Sequence, residues 1–408
     1  MIYVHVPFCR SFCIYCDFYS EIAAGSCMGG DPSARDSVYG RYADALAKEI
    51  AARGTEISDT VNTLYIGGGT PSVLPLSFFS SLLDALRAAG HGGPFDEFTV
   101  EVNPDDIVEK GGEYVEGLLK LGVNRVSMGV QSFDDRMLRW MNRRHDAESA
   151  RKAYSILENS GVENISIDLI FGISSLTDSD WRDTLEKALA ISPSGALPKH
   201  VSSYQLSVEP GSALASLVEK GRYEEASDEM CMNQYAMLCE AMASAGYHHY
   251  EISNFALPGY EALHNSAYWR HVPYLGLGPG AHSLVCSPVA AGLCGGMSAV
   301  TDDVPGKVMM RRWNNPDLKS YLDAAGTGDF SLAGGCEVLT GEQIVTEKIM
   351  LALRTSEGID SEYLERHCPA KALERALMVG NLIKTPSGKI YIPEDHYFVS
   401  DGIVSDIL

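Results

Sequence analysis

Basic residues are scarce in this 408-residue chain: thirty-two Lys and Arg stand against fifty-four Asp and Glu, a formal net charge of −22. Such a surface repels phosphate backbones and anionic headgroups, so nucleic-acid binding is disfavoured. Long apolar runs are missing too. The apolar stretches are broken by Gly, Pro or charge, and none reaches the roughly eighteen residues of a transmembrane segment. Only eight residues precede Cys9, too few for the basic, apolar and cleavage regions of a secretory leader, and the expected location is cytoplasmic. The most telling absence is a fourth ligand. Cys9, Cys13 and Cys16 form C-x3-C-x2-C, and no further cysteine or histidine follows at metal-ligand spacing. Structural zinc takes four protein ligands and an ordinary iron–sulfur cubane four thiolates, so three thiolates leave one coordination position open. His5 is the one neighbour that would complete a zinc site, but strand alternation points it along the sheet. The other seven cysteines (Cys27, Cys231, Cys239, Cys286, Cys294, Cys336, Cys368) show no second cluster spacing and are read as core or incidental.

With 45% hydrophobic residues, the chain can bury a large core, and its length suits a barrel-sized domain plus a smaller one. Short β-branched runs recur at 3–6, 63–66, 98–102, 125–130, 165–171 and 201–207, separated by segments with apolar residues three and four apart. Six βα units predict a parallel sheet with helices outside: an incomplete (β/α)6 TIM-like barrel, with a doubly wound sheet as the structural rival. In a barrel the C-terminal strand ends carry the chemistry. Here those ends deliver the cysteine loop, then Gly67 to Thr70, Glu101 and Asn103, Gln131, Asp168, and Gln205 with Ser207. Any one of them could be a satisfied polar group, but six strands ending this way point to a site. The glycine turn YIGGGTP (65–71) has no P-loop lysine, which disfavours phosphate cradling.

Stretches 21–38 and 286–307, rich in Gly, Ala, Ser and Pro, read as surface insertions. After Arg312 helical patterns lead to IKTPSGKIYIP, a strand pair across a Pro-Ser-Gly turn. The expected organisation is a barrel over 1–285, an insertion or linker over 286–312, and a small winged-helix-like C-terminal helical domain over 313–408. That last segment has no basic stripe, so packing or partner contact is expected of it rather than DNA binding.

Seven ordered motifs then stand out: YVHVPFC-x3-C-x2-C (3–16), YIGGGTP (65–71), EVNPDD (101–106), NRVSMGVQSF (124–133), MNRRHD (141–146), SIDLIFG (166–172) and HNSAYW (264–269). Together they span nearly the whole chain and resemble the radical S-adenosylmethionine proteins. Within that group, the resemblance is to the branch holding oxygen-independent coproporphyrinogen dehydrogenases and their haem-chaperone relatives. It implies a 4Fe-4S cluster on Cys9, Cys13 and Cys16, with S-adenosyl-L-methionine at the unligated iron. Tyr3 and Tyr15 match cofactor-packing aromatics; Gly68, Gly69 and Thr70 match the platform for the methionyl end. Glu101, Gln131, Arg143 and Asp168 match polar contacts to the cofactor, while Ile170 and Ser207 match the adenine surroundings. An electron donor is implied as well. The dehydrogenases carry a further cysteine where this chain has Phe18, and a long N-terminal extension that is missing here. HNSAYW instead matches the H-N-x-x-Y-W signature of the chaperones. His264 is then either a haem ligand or a structural histidine, with Asn265, Tyr268 and Trp269 beside it as porphyrin partners. The preferred expectation is a haem chaperone passing haem to an acceptor protein. The alternatives are radical decarboxylation of coproporphyrinogen III and a zinc-stabilised binding module.

Overall fold

The computed structural model describes residues 1–22, 37–57, 61–288 and 307–408. Cys27, Cys294 and most of both expected insertions lie outside the described residues. Continuous burial is what makes each apolar run a parallel strand, since helices cover both faces of such a sheet. The run at 164–171 is the clearest case, with six of its eight residues buried.

The six expected strands are β1 (Ile2–Val6), β2 (Thr63–Gly68), β3 (Glu97–Val102), β4 (Arg125–Gln131), β5 (Asn164–Phe171) and β6 (His200–Gln205). Each pairs in parallel with the next. The intervening helices are α1 (Val38–Arg53), α2 (Leu76–Ala88), α3 (Pro104–Lys120), α4 (Asp135–Trp140), α5 (Ala147–Asn159) and α6 (Asp178–Leu189). After β6 come α7 (Ala213–Glu219) and α8 (Asp228–Ser244). Their starts follow capping chemistry: the side chains of Ser37, Asp146, Thr177 and Ser227 each accept a first-turn backbone N–H.

The sheet continues past both ends of the six-strand core. Beyond β6 lie β7 (His248–Glu251) and β8 (Asn254–Ala256), with β8 antiparallel to both β6 and β7, then α9 (Leu263–Trp269). On the other side β9 (Leu275–Leu277) pairs in parallel with β1, so the order is β9-β1-β2-β3-β4-β5-β6-β8-β7. The two outer strands are not paired with each other, and the barrel is incomplete. Residues 276–283, whose glycines suggest a turn, thus begin as strand; the turn follows at Gly278 and Gly280, where φ is 93° and 82°.

A second, antiparallel sheet joins β10 (His282–Pro288), β11 (Lys307–Asn314) and β12 (Gly334–Val338). Residues 307–312, expected as linker, form most of β11. They do so because Val308, Met309 and Met310 are buried and the strand is paired on both sides. The remainder is α10 (Leu318–Thr327), α11 (Gly341–Ala352), β13 (Ile359–Asp360), α12 (Ser361–His367), α13 (Ala370–Met378), the hairpin β14 (Ile383–Lys384) and β15 (Lys389–Tyr391), and α14 (Ser400–Ile407). Helix α11 starts with a reciprocal capping box between Thr340 and Gln343. The hairpin adds to β13 as a small wing, and Leu353, Leu364, Leu373, Ile390 and Ile403 share one continuous hydrophobic core with the barrel. Cys231 and Cys368 are buried thiols. Cys336 is disulfide-bonded, a role the sequence reading did not give it. Among the described residues, no helix is long and apolar enough to cross a membrane.

Candidate functional site

The cysteine loop and residues at or just beyond the ends of β2 to β6 surround one cavity of about 790 Å³. The loop is fastened on three sides. Ile14 N donates to Met141 O (3.3 Å), Leu214 N donates to Ile14 O (2.7 Å), and Asn142 Nδ2 donates to Phe12 O (2.6 Å). Held this way, the free thiols of Cys9, Cys13 and Cys16 line the cavity. Thr70 Oγ1 lies 3.3 Å from Cys9 Sγ, and Arg143 Nη1 donates to Cys13 Sγ at 3.4 Å. Burial raises the Cys9 thiol, and burial together with the neighbouring cysteines pushes Cys16 up to about 12. Thiols so placed keep their protons against water and lose them when a metal cation binds sulfur and displaces the proton to solvent. Three of them on one loop fit a cluster that keeps one iron free of protein.

His5 takes no part. Its Nδ1 lies 3.0 Å from Tyr3 Oη and its Nε2 2.7 Å from Tyr19 O. Tyr3 and His5 share a face of β1 and meet each other, so Tyr3 is not among the cavity-lining residues, whereas Tyr15 is. The glycine turn is stitched to the loop by Gly69 N to Val6 O (2.8 Å) and Thr70 N to Phe8 O (2.7 Å). Gly68 has φ 102°, and a Cβ at Gly69 would stand 2.7 Å from the carbonyls of Val6 and Phe8. No larger residue allows that approach.

The cavity floor is polar and only partly satisfied. Glu101 accepts from Tyr65 Oη (2.7 Å) and Gly68 N (3.2 Å), and burial lifts its carboxyl to about 7. Asp168 accepts from Ser127 Oγ (3.1 Å); burial raises it, and Arg125 opposes the rise. Arg143 donates through Nη2 to Gly129 O (2.7 Å) and to Asn103 Oδ1, and its Nε has no hydrogen-bond partner among the described residues. Gln131 lines the cavity from a left-handed backbone (φ 66°) at a register slip between β4 and β5. A bulge of this kind re-aims a side chain. Ile170 and Ser207 also line the cavity. Buried carboxylates, an incompletely paired guanidinium and a close-approach backbone turn suit a ligand bearing hydroxyl, amino and carboxylate groups, as S-adenosyl-L-methionine does.

The H-N-x-x-Y-W residues divide. Asn265 lines the cavity. His264 does not: it is 1% exposed, with Nδ1 2.8 Å from Thr63 Oγ1 and Nε2 3.2 Å from Tyr268 Oη. Burial pushes its imidazole down to about 3. Tyr268 meets His264 and Tyr274 edge to face. In this conformation neither nitrogen of His264 is available to a haem iron. Tyr65, Arg125, Ser127, Ser202, Tyr204 and Arg144 line the cavity without having been singled out from sequence. Strand alternation is the signal that would have found most of them, because Arg125, Ser127 and Gly129 face the cavity at every second position of β4.

The radical SAM superfamily model matches residues 3–188. A "Heme chaperone HemW" from Synechocystis sp. is 35% identical over 283 residues, covering 69% of this chain and 65% of its own, just under two thirds. Another from Bacillus subtilis is 32% identical over 365 residues, covering 88% of this chain and 84% of its own. The solved structure of coproporphyrinogen III oxidase (HemN) from Escherichia coli superposes with a TM-score of 0.73 at 20% identity, over 99% of this chain and 89% of that one. At that identity the likeness establishes the fold alone. A glycine-lined cavity with three thiols at its mouth and relatives of this extent lead to one assignment: the chain belongs to the radical SAM superfamily and, within it, to the HemW family.

Proposed function

We propose that this chain is a cytoplasmic haem chaperone, carrying a 4Fe-4S cluster and S-adenosyl-L-methionine and passing haem to an acceptor protein. The observation behind this reading is the single cavity where Cys9, Cys13 and Cys16 meet Gly68 to Thr70, Glu101, Gln131, Arg143 and Asp168, in a chain whose curated relatives carry the chaperone name. When bound, the cluster and its cofactor supply one-electron chemistry. The protein's own part is placement: the loop fixes three thiols, Arg143 and the glycine turn hold the polar end of the ligand, and the carboxylates of Glu101 and Asp168 accept from its hydroxyls. An electron donor belongs to this reading; nucleic acid does not, given the net charge of −22.

Haem is the cargo, and its contacts are placed at Asn265, Trp269, Tyr268 and His264. His264 becomes a ligand only by giving up a hydrogen bond, and the 3.2 Å contact with Tyr268 is the longer of its two. Titrating haem into the anaerobically reconstituted chain tests the proposal. About four irons per chain, a Soret shift on binding and haem transfer to an apo-haemoprotein are the expected results. With reductant, S-adenosyl-L-methionine and coproporphyrinogen III, the same protein is expected to form no protoporphyrinogen; its appearance would move the chain to the enzyme branch. An unchanged Soret band in His264→Ala would leave His264 a structural residue.

A further inference from the structure

Away from the cavity, three unlike donor groups from three separate elements meet where the C-terminal segment crosses the sheet edge. Cys239 comes from α8, His249 from β7, and Glu394 from the 3-10 turn Glu394–Val399 that leads into α14. Cys239 Sγ lies 3.9 Å from His249 Nδ1, and Glu394 Oε1 lies 2.8 Å from the same nitrogen. All three donor atoms fall within 4.8 Å of one another. The imidazole is buried and fixed, stacked on Phe255 with centroids 4.0 Å apart and met edge-on by Tyr397 at 5.0 Å. Glu394, by contrast, has a side chain 53% exposed, which leaves solvent a way in.

Proton positions narrow the possibilities. Tyr235 has one hydroxyl proton and donates it to Ile252 O at 2.8 Å. Its oxygen, 3.4 Å from His249 Nε2, is left to accept. Nδ1, 2.8 Å from a carboxylate oxygen, donates a proton to Glu394 in the metal-free chain, and a metal ion would take that proton's place and leave the ring proton on Nε2, toward Tyr235. That proton joins two of the three groups and leaves the thiol of Cys239 to its contact with Tyr235. A metal ion engages all three groups.

We infer that Cys239, His249 and Glu394 form a binding site for a zinc-class divalent cation, separate from the cysteine loop. One sulfur, one nitrogen and one oxygen lie within the donor range of zinc. Tetrahedral zinc at ordinary bond lengths sets sulfur and nitrogen roughly 3.6 Å apart and nitrogen and oxygen roughly 3.4 Å apart. The sulfur already stands near that distance, and the exposed carboxylate of Glu394 needs only to back away. Tyr235 fixes the ring tautomer, the usual task of a group behind a metal-bound histidine. The fourth position falls to water, and the metal fastens residues 394–408 to the edge of the barrel.

Zinc titrated calorimetrically into the full-length, cluster-reconstituted chain, desalted to remove loose metal, tests the site. One zinc per chain is expected. Cys239→Ser and Glu394→Gln should weaken it by more than the roughly 10- to 100-fold that loss of a supporting group costs, and Tyr235→Phe should fall within that range. Zinc should also raise the thermal midpoint of the wild type but of neither ligand variant. Because Glu394 is exposed, Glu394→Gln keeps the test decisive even if Cys239→Ser misfolds. If no cluster forms, the same titration in a chain with Cys9, Cys13 and Cys16 changed to Ala answers the question separately. Absence of a zinc heat, or an unchanged affinity in Glu394→Gln, overturns the site.

Discussion

Two buried carboxylates in this molecule have opposite surroundings. Glu49, in α1, accepts from Arg53 Nη1 (2.7 Å), Gly278 N (2.9 Å), Asn314 Nδ2 (2.8 Å) and Tyr321 Oη (2.7 Å). Those donors come from α1, the turn after β9, β11 and α10, so one side chain ties the open edge of the barrel to the second sheet. Glu101 has two neutral donors and faces the cavity. A carboxylate has about four acceptor sites: at Glu49 all are taken, one by a guanidinium, while Glu101 keeps capacity for an incoming ligand. Degree of satisfaction, rather than burial, separates the structural acid from the binding one.

The largest expected effect is at Glu49. Glu49→Ala leaves buried Arg53 to Glu56 alone and strips the shared acceptor from Gly278 N, Asn314 and Tyr321, and urea unfolding should register a loss of about 3–5 kcal/mol, with S-adenosyl-L-methionine affinity of the remaining folded protein unchanged. Glu101→Gln should do the reverse. A charged hydrogen bond contributes about 1.5–3 kcal/mol, so ligand affinity should fall by roughly tenfold or more while urea stability does not fall. Comparable stability losses in the two variants would erase the distinction.

A pH series sharpens it. The folded carboxyl of Glu101 sits at about 7 against an ordinary 4.5, so between those values the folded chain keeps a proton that the unfolded chain has released. Its contribution to stability is therefore present at low pH and lost as pH rises through that window. Ligand binding runs the other way, because hydroxyls need the ionised acid. Calorimetric affinity should weaken by up to about tenfold for each unit below pH 7, and Glu101→Gln should lack that dependence. The smallest effect belongs to a third kind of carboxylate, Glu357, paired with Arg270 at the surface (Arg270 Nε to Glu357 Oε2, 3.0 Å). Glu357→Gln should change the free energy of urea unfolding by less than about 1 kcal/mol.

The strand ends were readable because parallel strands, glycine turns and polar termini each leave a local mark. Glu101, Asp168 and the cysteines carried that mark, and the structure places them around one cavity. Arg125 and Ser127 carried it too, as alternate positions of a single strand, but the apolar residues between them hid the pattern. Tyr3 carries a second mark: its motif position suggests the cofactor, and the period of two also sets it beside His5. The second sheet was not legible because β10 meets β11 only across a long Gly- and Ala-rich stretch. Cys239, His249 and Glu394 span more than 150 positions, and no spacing rule reaches that far.

The fastening of the cysteine loop has a thermodynamic consequence. Phe12 and Ile14 are bonded to Asn142 and Met141, and the next residue, Arg143, reaches back to Cys13. Loop and arginine are thus one mechanical body, so whatever orders the three thiols also orders the guanidinium. Linkage makes this reciprocal: if metal on the thiols tightens ligand binding near Arg143 by some factor, the ligand must retain the metal by the same factor. The two occupancies should rise and fall together.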